Sequence, residues 1–192
     1  NPMNKLYPYG TELAHNPWFN VNAPHSDNVY EDWNHDFELT KLMFTRALQY
    51  WLKEYKIDGY RMDLSHGLCG TTYDAMDHIT EYYEKGVKAV AEDAYFILEH
   101  WGSQMGSERP KLVNQGMLCW DNTTNAYYQT AMGWLKDGDS FTSASRDGYV
   151  SYCESHDEER AFFKAKHFGA GDLQTDDQER IARVPVNMAF LT

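Results

Sequence analysis

The stretch Lys56-Ile57-Asp58-Gly59-Tyr60-Arg61-Met62-Asp63 decides how this chain is read. Its brevity, apolar content and glycine suit a strand that leaves its functional groups at the C-terminal end. The flanking patterns are helical. From Glu38 to Tyr55 the apolar residues Phe44, Ala47, Leu48, Trp51, Leu52 and Tyr55 return at helical spacing, with Lys41, Arg46, Gln49 and Lys53 on the other face. A second helix is predicted from about Tyr73 to Glu92, with Met76, Ile79, Tyr83, Val87 and Val90 along one side.

The pattern repeats downstream. A compact apolar run, Ala94 to Leu98, is closed by Glu99-His100-Trp101; Met117 to Trp120 reads as a strand, Thr123 to Leu135 as a helix, Tyr149 to Glu154 as a strand and Glu158 to His167 as a helix. Four short runs alternating with helices predict parallel βα units. Such units build doubly wound sheets or (β/α)8 barrels, and in both the chemistry lies beyond the strand C-termini. No Gly-x-Gly-x-x-Gly follows a strand, which disfavours a dinucleotide-binding fold. A complete barrel typically takes ~250 residues, so the barrel reading makes this chain part of one. Residues 1–37 are rich in Asn, Pro, Gly and His with no sustained period, and read as a long structured loop.

The 192 residues include 29 acidic and 17 basic side chains, for a formal net charge of −12. Counterion release needs clustered Lys and Arg, so no nucleic-acid partner is expected. Hydrophobic residues at 42% supply a buried core. No run approaches the ~20 apolar residues of a membrane span, and Asn1-Pro2-Met3-Asn4 does not begin a secretory signal. Cys69, Cys119 and Cys153, widely spaced and without a CxxC, make neither a disulfide framework nor a zinc site and read as buried thiols.

Three carboxylates fall at the ends of different strands: Asp63, Glu99 and the Asp157 of His156-Asp157. Singly, each has a plain explanation as a helix cap or a solvated side chain. Together they converge on one rim of a parallel sheet, and a carboxylate pair there is what glycosyl transfer requires. Arg61 lies two residues before Asp63, on the same face of a period-2 strand, where its guanidinium can hydrogen-bond that carboxylate and keep it ionised.

Ile57 to Asp63 resembles the Gly-Phe-Arg-x-Asp signature on the fourth barrel strand of the α-amylase family, glycoside hydrolase family 13. Phe96-Ile97-Leu98-Glu99 is similar to that family's fifth-strand motif, and Glu154-Ser155-His156-Asp157 to its Asn-His-Asp motif after the seventh strand. The stretch from Asn16-Pro17-Trp18-Phe19-Asn20-Val21 to Asp63-Leu64-Ser65 resembles the segment joining the inserted loop domain to the fourth strand in bacterial secreted α-amylases and pullulanase-like enzymes. The resemblance implies an α/β fragment of a (β/α)8 TIM barrel, about strands 4 to 7 with their helices. Residues 1–37 would end the inserted loop domain after strand 3, and 38–192 would be a partial catalytic barrel. It also implies an extracellular or periplasmic parent protein.

Carried over by position, the resemblance makes Asp63 the nucleophile, Glu99 the general acid/base and Asp157 the stabiliser of the oxocarbenium-like transition state. Arg61, His156, His66, His100, Trp101 and Trp120 are the candidate substrate-binding residues. His66 and Gly67 stand where many members hold Lys-His, and Ser155 stands where Asn is usual. Trp101, Trp120, Tyr127 and Tyr128 lie just beyond strand ends and could stack on pyranose rings, although aromatics at helical spacing are more often core. No cofactor is required and no metal ligand is assigned. Relatives bind calcium near the inserted loop, and Asp27, Asp32 and Asp36 are the oxygen donors available, but their spacing matches no calcium loop and solvated carboxylates are the plainer account.

The implied activity is retaining hydrolysis of α-glucosidic bonds in starch-like or glycogen-like α-glucans, which are then the expected partners. An α-glucan transglycosylase or branching enzyme shares the same carboxylates, and a non-catalytic glycan-binding barrel is the reading from a different class. A piece of a barrel, made alone, is expected to be inactive and to self-associate through open sheet edges and an apolar stripe of Val184, Val186, Met188 and Phe190, with Pro185 a local weakness.

Overall fold

A computed structural model of the chain describes residues 16–27, 31–134 and 147–189. Two short strands, β1 (Phe19–Asn20) and β2 (Asp32–Trp33), pair antiparallel inside the stretch expected to be loop. They are pinned by rings: Trp33 packs on Phe19 and, edge-on, against Trp18 and Phe44. Helix α1 spans Glu38–Tyr55, the range its periodicity predicts, and stops where Lys56 turns left-handed at φ 54°. Leu48 and Leu52 are buried, but Trp51 and Tyr55, expected on the same face, are 47% and 58% exposed and lie against each other at 4.5 Å. The buried stripe is narrower than the apolar pattern, so both rings are left at the surface.

Strands β3 (Gly59–Met62) and β4 (Tyr95–Leu98) are parallel, with Gly59 opposite Tyr95 and Met62 opposite Leu98. A Cβ on Gly59 would meet the Tyr95 carbonyl oxygen at 2.3 Å, so this close approach needs glycine. Helix α2 (Ala75–Glu81) continues as a π-helical segment, Tyr82–Lys88. The widened turns let consecutive tyrosines serve two neighbours. Tyr82 stacks on Phe44 of α1, while Tyr83 stacks on Phe96 of β4 and donates its hydroxyl to the Gly116 carbonyl. Helix α3 (Met105–Asn114) has no counterpart in the periodicity: it is polar, holds Pro110 inside it and buries Arg109 and Leu112.

Strand β5 (Leu118–Asn122) lies parallel to β4, and β6 (Tyr149–Tyr152) completes a four-stranded, all-parallel sheet in chain order β3-β4-β5-β6. The fold is therefore α/β. The chain divides into two compact units, Asn1–Cys119 and Trp120–Thr192.

Within the second unit, α4 (Thr124–Ala131), α5 (Ala161–Phe168) and α6 (Asp177–Ala189) pack together around Tyr128, Ala131, Met132, Ala161, Ala165 and Val184. Val184 is thus a core residue rather than part of an exposed stripe, and Val186 is exposed. Pro185 lies in the interior of α6, while the side chain of Met188 and the whole of Phe190 are outside the described residues. Helix α5 begins at Ala161, three residues later than expected, because Glu154 accepts the Ala161 N–H at 2.5 Å and Glu158 is drawn back to Ser155. Cys69 and Cys119 are buried thiols; Cys153 is only half-buried.

Candidate active site

The β3–β4 register sets the site. With Met62 opposite Leu98, the next residue on each strand is a carboxylate, and Asp63 and Glu99 emerge side by side at the C-terminal ends. Arg61 joins them: Nη1 donates to Asp63 Oδ1, and Nη2 stands 2.8 Å from Glu99 Oε2. Leu64, in a left-handed conformation at φ 39°, donates its backbone N–H to the same Glu99 oxygen at 2.9 Å. A left-handed leucine is strained, and such residues cluster at functional sites. Ser65 N–H and Ser65 Oγ both donate to the Glu99 carbonyl, at 2.9 and 3.2 Å.

The two carboxylates face different surroundings. The Asp63 side chain is 69% exposed, that of Glu99 only 8%. Paired carboxylates in contrasting environments are the usual basis for dividing nucleophile and acid/base roles. Asp63 and Arg61 line a cavity of about 500 Å3 whose wall includes His25, Asp32, Trp33 and His35. His35 is fully buried, 2.6 Å from the Tyr82 hydroxyl through Nδ1, and burial together with the neighbouring His78 pushes its pKa down to about 3. The same burial raises the Tyr82 hydroxyl's pKa, so both are neutral near pH 7.

His66 and His100 are buried and engaged with each other and with Glu108 of α3, which sequence reasoning did not single out. Burial lowers the His100 pKa against the opposing pull of its hydrogen bond to Glu108. Trp101 is half-buried and carries the Arg109 guanidinium 4.5 Å from its ring. In the second unit His156 and Asp157 are exposed, with Nε2 and Oδ2 3.5 Å apart, and the Asp157 N–H is held by Ser155 Oγ at 3.1 Å. Trp120 packs against Tyr152 with centroids 4.4 Å apart. Tyr127 and Tyr128, considered as sugar platforms, are buried in α4 and belong to the core.

The three loop aspartates do not make a calcium shell. Asp32 takes Asn20 Nδ2 at 2.7 Å and His25 Nε2 at 3.0 Å; Asp36 takes the Thr71 N–H and hydroxyl and His78; Asp27 faces His66 at 3.6 Å. Asp32 is buried rather than solvated. The Thr71 N–H is the main reason the Asp36 pKa falls below its ordinary value. Asp32 and Asp36 already have their own protein donors and Asp27 is turned to His66, so the three do not fit a common oxygen-coordinated cation.

Glu108 and Ser65 carried no sequence signal, because the residues they meet are brought together only by the loops following β3 and β4. Compared with known proteins, the chain matches no family model and no curated sequence.

Proposed function

We propose that this chain carries the nucleophile and the acid/base of a retaining glycosidase of the α-amylase type, acting on α-glucosidic bonds of starch-like or glycogen-like α-glucans. The observation that supports the reading is one guanidinium, that of Arg61, touching both Asp63 and Glu99 at the ends of adjacent parallel strands beside an open cavity. In this reading the four parallel strands are strands 4 to 7 of a (β/α)8 barrel.

The roles are those the α-amylase resemblance implies, and the exposure difference between the two carboxylates is in keeping with them. Asp63, facing the cavity, forms a bond to the anomeric carbon as the glycosidic C–O bond breaks, and Glu99 gives its proton to the departing oxygen. Glu99 then takes a proton from water as the water oxygen attacks the same carbon and the ester to Asp63 breaks. Retaining pairs sit ~5–5.5 Å apart, too close for an interposed water, and contact of one guanidinium with both carboxylates supports assigning Asp63 and Glu99 to one pair. Arg61 fixes both oxygens, and the Leu64 N–H fixes Glu99 a second time. In the α-amylase resemblance the third carboxylate, the stabiliser of the transition state, is Asp157, which belongs to the second unit.

The test is product analysis with the native full-length protein on amylose and pullulan, with proton NMR of the first product. Release of reducing ends with the α-anomer appearing first supports the reading. An inverted product overturns the retaining pair, and starch binding without release of reducing ends favours a glycan-binding protein.

A further inference from the structure

We propose that His66, His100 and Glu108 form a binding site for one divalent transition-metal ion, zinc by its donor set, which ties the turn after β3 to the first turns of α3. This inference does not rest on the glycosidase reading. His66 Nε2 and His100 Nε2 each stand 3.0 Å from the same oxygen, Glu108 Oε2, and the three ligand atoms all lie within 4.8 Å of one another. The edge of a tetrahedron with bonds of ~2.05 Å is ~3.3 Å, so the two nitrogen–oxygen edges, 3.0 Å each, need widen by only ~0.3 Å to admit the ion.

The surroundings are those of a held ligand set. Metal-bound imidazoles have their second nitrogen fixed by a carboxylate, carbonyl or hydroxyl. Here Ser65 Oγ is 3.0 Å from His100 Nδ1, and Asp27 Oδ2 is 3.6 Å from His66 Nδ1. Both rings therefore present Nε2 to Glu108, with His100 Nδ1 engaged by Ser65 and His66 Nδ1 facing Asp27 at ion-pair distance. Gly102 packs against the His66 ring so closely that a Cβ there would meet Cε1 at 2.2 Å, and Arg109 donates to the His100 carbonyl at 3.0 Å. A cavity of about 240 Å3 lies alongside His66 and Asp27 and gives the site a path to solvent on the His66 side.

The donor chemistry selects the ion. Two imidazoles and one carboxylate suit zinc, whereas calcium and magnesium take mostly oxygen ligands. A second grouping, Asp36, Asp74 and His78, has two carboxylates and one imidazole, and its Asp36 is exposed and already bonded to Thr71. It serves as the internal control.

The experiment uses the full chain, stripped with chelator and titrated with Zn2+ by calorimetry, then with Co2+ by visible absorption. The expected result is saturable one-to-one Zn2+ binding, a rise in Tm on loading, and the strong d–d bands of four-coordinate cobalt. Glu108→Gln and His100→Gln should each weaken affinity by at least about 100-fold and Ser65→Ala by about 10–100-fold, with Asp74→Asn unchanged. Absence of saturable binding in the wild type overturns the proposal, whatever the folding of the variants. So does binding that survives Glu108→Gln, binding lost in Asp74→Asn, or a cobalt spectrum of six-coordinate oxygen ligation.

Discussion

Leu64 and Glu99 are joined across 35 residues by a backbone N–H donated at 2.9 Å to a carboxylate oxygen, from a leucine held left-handed. The residue next to the candidate nucleophile thus orients the candidate acid/base. This bond, with the two arms of Arg61, makes Asp63, Leu64 and Glu99 one positioned group, and variants should behave accordingly.

Arg61→Lys keeps the positive charge and loses the planar fork that reaches two carboxylates at once. Turnover of α-glucan in the full-length protein should fall about 100-fold, with the Tm shifted by only a few degrees. Near-normal turnover would show that the fork is a structural ion pair.

Asp63→Asn and Glu99→Gln preserve shape while removing the charge or the proton that retaining chemistry uses. Each should lower kcat by about 10²–10⁴-fold or more, with circular dichroism unchanged. Full activity in either variant removes that residue from the mechanism.

His35 links stability to pH. In the unfolded chain it binds a proton near its ordinary value of 6.5, while in the folded protein it resists protonation down to about 3. The unfolded state therefore holds the extra proton throughout that window, and stability falls as pH drops below 6.5, by about 1.4 kcal/mol per pH unit from this residue. Urea unfolding at about pH 7 and about pH 5 should show a loss about 2 kcal/mol larger in the wild type than in His35→Gln. Equal pH dependence in the two proteins would contradict the assignment.

Gly59→Ala puts a methyl group against the Tyr95 carbonyl, where backbone rather than a movable side chain is in the way. The β3–β4 pair must spread, at a cost of about 1–3 kcal/mol measured as a lower urea midpoint. An unchanged midpoint would mean that the strands part without penalty.

The alternation of strands and helices was legible because each strand is a short apolar run and α1 carries a long periodic face. The carboxylate at the end of β4 could be aligned with that of β3 for the same reason: both strands are four residues long and paired end to end. What escaped was set by packing. Helix α3 lacks an apolar stripe and contains Pro110, so neither periodicity nor propensity marks it, and Glu108 was lost with it. Trp51 and Tyr55 sit at helical spacing from Leu48, yet spacing does not say how wide a face a neighbour will cover. His66 and His100 were read as sugar contacts by their positions, and only the fold reveals that both reach the same glutamate.

The π-helical stretch Tyr82–Lys88 bears on ancestry. Its amides reach back five residues, as Ala89 N–H does to the Glu84 carbonyl at 3.1 Å, so the helix accommodates one residue more than an α-helix of the same end points. A widened turn of this kind can take up one extra residue while leaving the entry into β4 in place. A homologous chain with an uninterrupted α-helix here should be one residue shorter. The gap in an alignment then belongs among residues 82–88, inside a helix, rather than in the loop ahead of Tyr95 where gaps are ordinarily placed.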